Sequence, residues 1–224
     1  MIGWSTVDTV LLDMDGTLLD LHFDNYFWLE HVPMRYAEAR GIALDAARRE
    51  LHARYADIQG TLNWYCVDHW SRELGLDIAL LKQEVEHLIA VHPHVTEFLD
   101  LLGAAGKKRI LVTNAHQKSL SLKMQRTGLH DRLDDIVCAH DLGLPKEDPA
   151  FWDRLQRRQP FDPLRTLFVD DSLAVLRSAR TYGIAQLLAI LLPDTRQQAR
   201  RVDEFPAVTG FSAVLPDLRA ALAG

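Results

Sequence analysis

Two carboxylates near the start of the chain have the type and spacing to do chemistry. Asp13 and Asp15 follow the apolar run at residues 10–12 and precede Gly16. So short an apolar run before a glycine predicts the end of a strand that is buried on both faces of a parallel sheet. Residues two apart on a strand point to the same side, so both carboxylates project together. Because two such charges repel unless one is protonated or a cation lies between them, the pair indicates acid–base chemistry or cation binding.

Further polar residues stand at the ends of later predicted strands. Thr113 and Asn114 follow the apolar residues 110–112, and the acidic pair at 170–171 follows residues 166–169. Lys146 lies in a loop that opens with glycine. Taken singly, these are ordinary features of a turn, a surface lysine and a helix cap. Ligands of open α/β sheets bind at the carboxyl ends of the strands, so the combination predicts one site.

The elements that must position these residues alternate between strand and helix. After Val95, apolar runs at 110–112, 136–138, 166–169 and 186–191 read as strands, and helical patterns lie between them, one of them after a capping Ser172. A polar stretch then leads to a terminal helix from about Ser212 to Leu222. Strands and helices in this alternation imply parallel βαβ units.

A helical pattern interrupts this alternation between the first and second strands. Apolar residues recur every fourth position, with Asp24 expected as an N-cap and Pro33 at a kink or helix restart. At 224 residues the chain is long enough for a core with an insertion. We therefore expect residues 1–19 and 93–224 to form the α/β core, and residues 20–92 an all-helical domain.

Composition limits the classes of function. The net charge is −6 and no Lys/Arg-rich face is evident, which argues against binding a nucleic acid polymer. The two cysteines are far apart and form no metal-binding pattern, which fits a reducing compartment. Neither a signal peptide nor a membrane-spanning run is found. A cytoplasmic protein without a membrane partner is expected.

The order of the motifs carries a resemblance. Asp-x-Asp-Gly-Thr, hydrophobic-Thr-Asn, a Gly-x-x-Lys loop and Asp-Asp follow one another, as in the haloacid dehalogenase-like hydrolase superfamily, which the chain resembles over about residues 7–222. The resemblance implies an α/β fold with a Rossmann-like parallel-sheet core and an inserted all-helical cap domain. Two positions depart from the superfamily pattern. Glu147 replaces the proline that usually follows the lysine, and Val175 replaces a frequent acidic residue.

The resemblance also implies a reaction and a set of roles. The expected enzyme is a Mg²⁺-dependent phosphomonoester hydrolase in which Asp13 attacks phosphorus to form an aspartyl phosphate. Asp15 protonates the leaving oxygen and later deprotonates water. The dehalogenase branch lacks an acid at this position, so Asp15 favours a phosphatase. The implied phosphate-binding residues are Thr113, Asn114 and Lys146, and the implied metal ligands are Asp13, the backbone carbonyl of Asp15, Asp171 and Asp170.

A narrower resemblance concerns the substrate. Residues 20–28, 61–66, 75–78, 113–116 and 145–148 resemble bacterial nucleotidases that act on GMP and IMP. This implies a purine 5′-nucleotidase whose partner is a small phosphate ester. A purine can stack on an aromatic ring. Trp28 and Trp70 lie at helical spacing and are expected in the core, so the candidate substrate residues are Trp64, Tyr65 and Tyr26.

Two alternatives remain open at this point. One is a phosphatase of the same superfamily for another small metabolite, such as a sugar phosphate or phosphoglycolate. The other is a receiver module of a signalling protein, which also uses an acidic pair, an acceptor Asp, a Thr and a Lys. A receiver has its acidic pair first in the chain, whereas here that pair comes last, so the order argues against it.

Overall fold

Six parallel strands form one sheet in the computed structural model, which describes residues 2–223. Their order across the sheet is β3-β2-β1-β4-β5-β6, so the direction of winding reverses between β1 and β4. Ligands of doubly wound sheets bind at that reversal, outside the carboxyl ends of the strands. The strands are β1 (Thr9–Leu12), β2 (Lys108–Thr113), β3 (Asp135–Cys138), β4 (Thr166–Asp170), β5 (Gln186–Ile190) and β6 (Ala207–Val208).

Eleven α-helices accompany the sheet within the described residues. Five of them, with a π-helical turn at Phe27–His31, lie between β1 and β2. These five are α1 (His22–Tyr26), α2 (Val32–Arg40), α3 (Leu44–Ile58), α4 (Val67–Leu74) and α5 (Ile78–Glu84). The others are α6 (Val95–Ala104), α7 (Gln117–Thr127), α8 (Ala139–Leu142), α9 (Pro149–Arg158), α10 (Leu173–Tyr182) and α11 (Leu215–Ala223).

The two faces of the sheet pack into two apolar clusters. Val10 and Leu12 belong to one cluster with α6, α11 and the five helices of the insertion, while Leu11 belongs to the other with α9 and α10. All three side chains are fully buried. Successive side chains of a strand point to opposite faces, so helices on both faces explain why β1 has no polar residue between its apolar ones.

The helical insertion enters and leaves through two segments that lie side by side. The backbone N–H of Asp20 donates to Ala90 O at 2.9 Å, and that of His92 donates to Leu18 O at 2.9 Å. The helices themselves begin at His22 and end at Glu84, followed by a 3₁₀ turn at Glu86–Leu88. These two hydrogen-bonded segments therefore connect the helical insertion to the rest of the chain.

Several local predictions need correction. Asp24 is not an N-cap, because α1 begins at His22 and Leu21 occupies the cap position. Ser172 does occupy the cap position of α10, but its side chain makes no capping hydrogen bond. The terminal helix begins at Leu215, after a 3₁₀ turn at Phe211–Ala213. The edge strand β6 was not predicted, because its two residues are too few to show a period.

No helix within residues 2–223 combines the length and the apolar character that crossing a membrane requires.

Candidate active site

The register of the central strands brings three carboxylates together. Leu12 of β1 pairs with Val169 of β4, so the next residues, Asp13 and Asp170, lie side by side at the carboxyl edge of the sheet. Asp171 follows directly. One oxygen from each of these three carboxylates lies within 4.8 Å of the other two. The reversal of strand order thus places the predicted acidic residues in one cluster.

Lys146 lies at the centre of this cluster. Its Nζ donates to Asp13 Oδ1 at 2.5 Å and to Asp170 Oδ2 at 2.7 Å, and the residue is 1% exposed. Burial lowers the pKa of Lys146, but the two carboxylates outweigh it and raise that pKa above its usual value. The lysine therefore stays charged and offsets part of the acidic cluster.

The remaining negative charge is only partly balanced. Burial raises the pKa of Asp171 to about 7 and that of Asp170 well above its usual value, with Asp13 adding repulsion. Asp13 Oδ2 is buried and has no hydrogen-bond partner among residues 2–223. A buried, unpartnered carboxylate oxygen beside two further carboxylates is costly alone and is the oxygen donor set that Mg²⁺ prefers. These residues therefore fit a divalent cation.

Gly16 allows the turn that brings the first motif against this cluster. Its φ is +88°, a conformation that L side chains rarely adopt, and a Cβ there would lie 2.8 Å from Asp171 Cγ. A glycine therefore permits both a sharp turn and a close approach at this position. The group that it approaches is the Asp171 side chain.

Asp15 lies apart from the three carboxylates and has different partners. Lys123 Nζ of α7 donates to Asp15 Oδ1 at 2.6 Å and to Asp24 Oδ2 of the helical insertion at 2.6 Å. Lys82 Nζ donates to the other Asp24 oxygen at 3.0 Å. Burial raises the pKa of Asp15 to about 6, against the opposing effect of Lys123. Asp15 can therefore exchange a proton near neutral pH.

Sequence reasoning missed Lys123 and the role of Asp24. Both Lys123 and Lys82 are almost fully buried, although lysine is rarely found inside proteins without a partner. Burial opposes ionisation of Asp24, yet Lys123 and Lys82 lower its pKa to about 2. A lysine in a helical pattern gives no sequence signal of this contact, because Asp15 and Lys123 are 108 residues apart.

The phosphate-binding candidates line the same edge. Thr113 ends β2 and Asn114 follows it, and both are buried. The Thr113 hydroxyl oxygen accepts from the backbone N–H of Ala115 at 3.0 Å. Asn114 Oδ1 accepts from the backbone N–H of Lys146 at 2.9 Å. The structure therefore brings the predicted threonine, asparagine and lysine beside Asp13.

A cavity of about 400 Å³ extends from these polar residues towards the helical insertion. Trp64 and Tyr65 line it, as expected of substrate candidates, but Tyr26 does not. Trp28, which was expected only in the core, also lines the cavity, and Trp70 is buried behind it. The cavity thus has carboxylates and Lys146 at one end and aromatic rings at the other.

Comparison with known proteins agrees with this arrangement. A family model described as haloacid dehalogenase-like hydrolase matches residues 7–183. The chain belongs to the haloacid dehalogenase-like hydrolase family, and both the predicted family resemblance and the predicted α/β fold class are confirmed. It is 42% identical over 217 residues to the GMP/IMP nucleotidase YrfG of Escherichia coli strain K12, a match that covers 97% of this chain and 98% of that protein.

Solved structures show the same fold at lower identity. The crystal structure of a haloacid dehalogenase-like phosphatase from Thermococcus onnurineus has a TM-score of 0.79 at 24% identity and covers 97% of this chain and 99% of that one. L-2-haloacid dehalogenase from Xanthobacter autotrophicus has a TM-score of 0.59 at 17% identity and covers 96% and 98%, respectively. At these identities the likeness concerns the fold alone and does not indicate the substrate.

Proposed function

We propose that this hydrolase is a phosphatase for purine 5′-nucleotides, with GMP and IMP as its preferred substrates. The observation that carries the proposal is the cavity, which joins a cationic and acidic end suited to a phosphate to an aromatic end suited to a base. The 42% identity to a GMP/IMP nucleotidase over nearly the whole chain supports the same substrate class.

Charge is the first difficulty of the reaction. A carboxylate and a phosphate dianion repel by roughly 4 kcal/mol per charge pair at about 4 Å and an effective dielectric constant near 20. Mg²⁺, when bound, supplies positive charge that lets the two anions approach. Asp13, Asp171 and the Asp15 backbone carbonyl would hold it, with Asp170 as a further candidate. Lys146 offsets charge on the phosphoryl oxygens, and Thr113 and Asn114 orient them.

Asp13 acts as the nucleophile in this reaction, and Asp15 transfers the protons. An Asp13 oxygen attacks phosphorus, the bond from phosphorus to the ribose oxygen breaks, and Asp15 gives its proton to that oxygen. Water then attacks the aspartyl phosphate while Asp15 takes a proton from it, which releases phosphate and restores Asp13. Burial and the pKa of about 6 suit Asp15 to both steps.

The helical insertion supplies the base-binding end in this proposal. Residues 20–92 form a cap domain over the core of residues 1–19 and 93–224, since two paired connecting segments link them. Trp64 and Tyr65 of this cap contact the base, and stacking contributes about 1–3 kcal/mol. The enzyme works in the cytoplasm, where nucleoside monophosphates are found.

A panel of phosphate esters tests this proposal. Phosphate release with Mg²⁺ is measured for GMP, IMP, AMP, CMP, UMP, ribose 5-phosphate and phosphoglycolate. GMP and IMP should give the highest kcat/KM, because binding energy of the base helps to position the ester. AMP should be poorer, since a site built for a 6-oxo group and a ring N–H leaves polar groups unpaired with adenine. A higher kcat/KM for ribose 5-phosphate or phosphoglycolate would leave a phosphatase for another small metabolite.

A further inference from the structure

Glu147 is the position at which this chain departs from the usual proline after the lysine, and both of its carboxylate oxygens are occupied. Oε1 accepts from the Tyr65 hydroxyl at 2.5 Å, and Oε2 accepts from Asn114 Nδ2 at 2.9 Å. Tyr65 belongs to the 3₁₀ turn Leu62–Tyr65 of the helical insertion, whereas Asn114 directly follows β2. One half-buried side chain thus joins the helical insertion to the edge of the sheet that carries the phosphate-binding candidates.

The contact to Asn114 fixes the orientation of its amide. Its Oδ1 already accepts from the backbone N–H of Lys146 at 2.9 Å, so its Nδ2 needs an acceptor on the opposite side. Glu147 provides that acceptor. A continuous hydrogen-bonded chain therefore runs from the loop of Lys146 through Asn114 and Glu147 to Tyr65.

The contact to Tyr65 fixes the aromatic end. Burial, with the neighbouring Glu147 carboxylate, raises the pKa of Tyr65, so the hydroxyl keeps its proton and donates. The preceding residue is held too, because Trp70 Nε1 donates to Trp64 O at 2.8 Å. Since Trp70 is fully buried, the turn that carries Trp64 and Tyr65 is attached to the insertion on one side and to Glu147 on the other.

The Glu147 carboxylate has an electrostatic cost at this position. Next to a site for a phosphate dianion, an extra negative charge weakens binding through repulsion, and a neutral residue avoids that cost. Hydrogen bonds to an ionised acceptor are roughly twice as strong as neutral ones, so a glutamate is suited to holding two separate parts of the chain. The structure uses both of its oxygens in this way.

We infer that Glu147 is a positioning residue that sets the distance between the phosphate-binding end of the cavity and the aromatic wall formed by Trp64 and Tyr65. The enzyme thereby favours esters whose ring lies one ribose away from phosphorus. This inference rests on the proposed nucleotidase function. Glu147 acts through Tyr65 and Asn114 and touches neither the phosphate nor the metal ligands.

The test separates binding of the whole nucleotide from binding of phosphate alone. For Glu147→Ala we expect kcat/KM for GMP to fall about tenfold, the equivalent of about 1.4 kcal/mol. The inhibition constant of inorganic phosphate should change less than about threefold, because the backbone N–H of Lys146 still holds the Asn114 side chain in the variant. Equal changes in the two quantities would place the effect at the phosphate site and overturn the inference, and so would no change in either.

A control variant, a double variant and a conservative variant make this comparison more specific. Glu204→Ala removes a carboxylate that is also bound by two side chains, Arg177 and Arg180. Neither arginine lines the cavity, whereas Tyr65 and Asn114 do, so this variant should match wild type in both quantities. Tyr65→Phe should lower kcat/KM for GMP, and adding it to Glu147→Ala should cause no further loss. Multiplied losses in the double variant would show that the two residues act separately. Glu147→Gln keeps the size of the side chain and repeats the comparison if the alanine variant does not fold.

Failure of the proposed function would give a different experimental result from failure of this inference. If wild-type enzyme does not hydrolyse GMP, the nucleotidase proposal fails, and the best ring-bearing ester of the panel replaces GMP in the same comparison. The contact itself is then tested by thermal unfolding of Tyr65→Phe, Glu147→Gln and the double variant. Non-additive shifts in Tm support the contact, and additive shifts overturn it.

Discussion

Replacing Lys123 with methionine should destabilise the protein, because two carboxylates, those of Asp15 and Asp24, lose the same hydrogen-bond donor. Methionine keeps most of the aliphatic stem and removes the ammonium that donates to Asp15 and Asp24 at 2.6 Å each. Both acceptors are partly buried, with side chains 23% and 17% exposed, so water replaces the lost donor only in part. The perturbation is therefore the creation of unpaired charge in the interior and not the loss of packing.

The size of the expected loss of stability depends on the interactions that Asp15 and Asp24 keep in the Lys123→Met variant. Breaking a buried ion pair by removing one partner costs about 3–5 kcal/mol. Lys82 still donates to Asp24 at 3.0 Å, and Asp15, whose pKa is already about 6, can take a proton. We therefore expect the lower end of the range, about 3 kcal/mol. For a chain of this size that corresponds to a fall in Tm of about 6–12 °C.

Urea and thermal unfolding in EDTA, followed by circular dichroism, measure this effect without a metal. Lys118→Met is the matched control, since Lys118 lies on the same helix and pairs with Asp68 at 2.6 Å at the surface. Exposed ion pairs contribute little, so its shift should be much smaller. Adding Asp15→Asn to Lys123→Met should recover part of the loss, because it removes a charge left unpaired. Equal Tm shifts for the two lysine variants would refute the reasoning.

The catalytic residues give three further predictions. Asp13→Asn should abolish Mg²⁺-dependent phosphate release while circular dichroism shows a folded protein; near wild-type rates would exclude Asp13 as the nucleophile. Asp15→Asn should lower turnover about 10²–10⁴-fold in steady-state assays yet still show a phospho-enzyme burst with an activated ester; equal loss of burst and turnover would assign Asp15 to the metal instead. Asp171→Ala should raise the Mg²⁺ concentration for half-maximal activity at least about tenfold and more than Asp170→Ala does, because both Asp170 oxygens are already hydrogen-bonded. The reverse order in a metal titration would exchange the roles of the two aspartates.

The sheet could be predicted because its strands are buried on both faces. Residues 10–12, 110–112 and 167–169 are continuous apolar runs, and each lies within an observed strand. In a parallel sheet the carboxyl ends meet at one edge, so the proximity of Asp13, Thr113 and Asp170 followed from order alone. The edge strand at Ala207–Val208 gave no such signal.

Contacts between the insertion and the core could not be predicted from the sequence. They depend on how the five helices sit against the sheet, which no local pattern encodes. Asp24 looked like a helix cap, yet it lies between Lys82 and Lys123. Glu147 was identified only as a departure from the usual proline, yet it accepts a hydrogen bond from Tyr65, 82 residues away in the sequence. Tyr26 shares its residue type with Tyr65 but is not among the residues that line the cavity.

The most direct test of the account is to find where the phosphoryl group of a purine nucleotide goes. Wild-type enzyme is mixed with GMP or IMP and Mg²⁺, quenched in acid within the first turnover and digested for mass spectrometry, because Asp15 is needed to protonate the ribose oxygen of these unactivated esters. The account predicts a phosphoryl group on Asp13, formed from both nucleotides. The same experiment with Asp13→Asn should give no labelled peptide. Label on another residue, or none from GMP and IMP under conditions where another ester labels Asp13, would contradict the central claim.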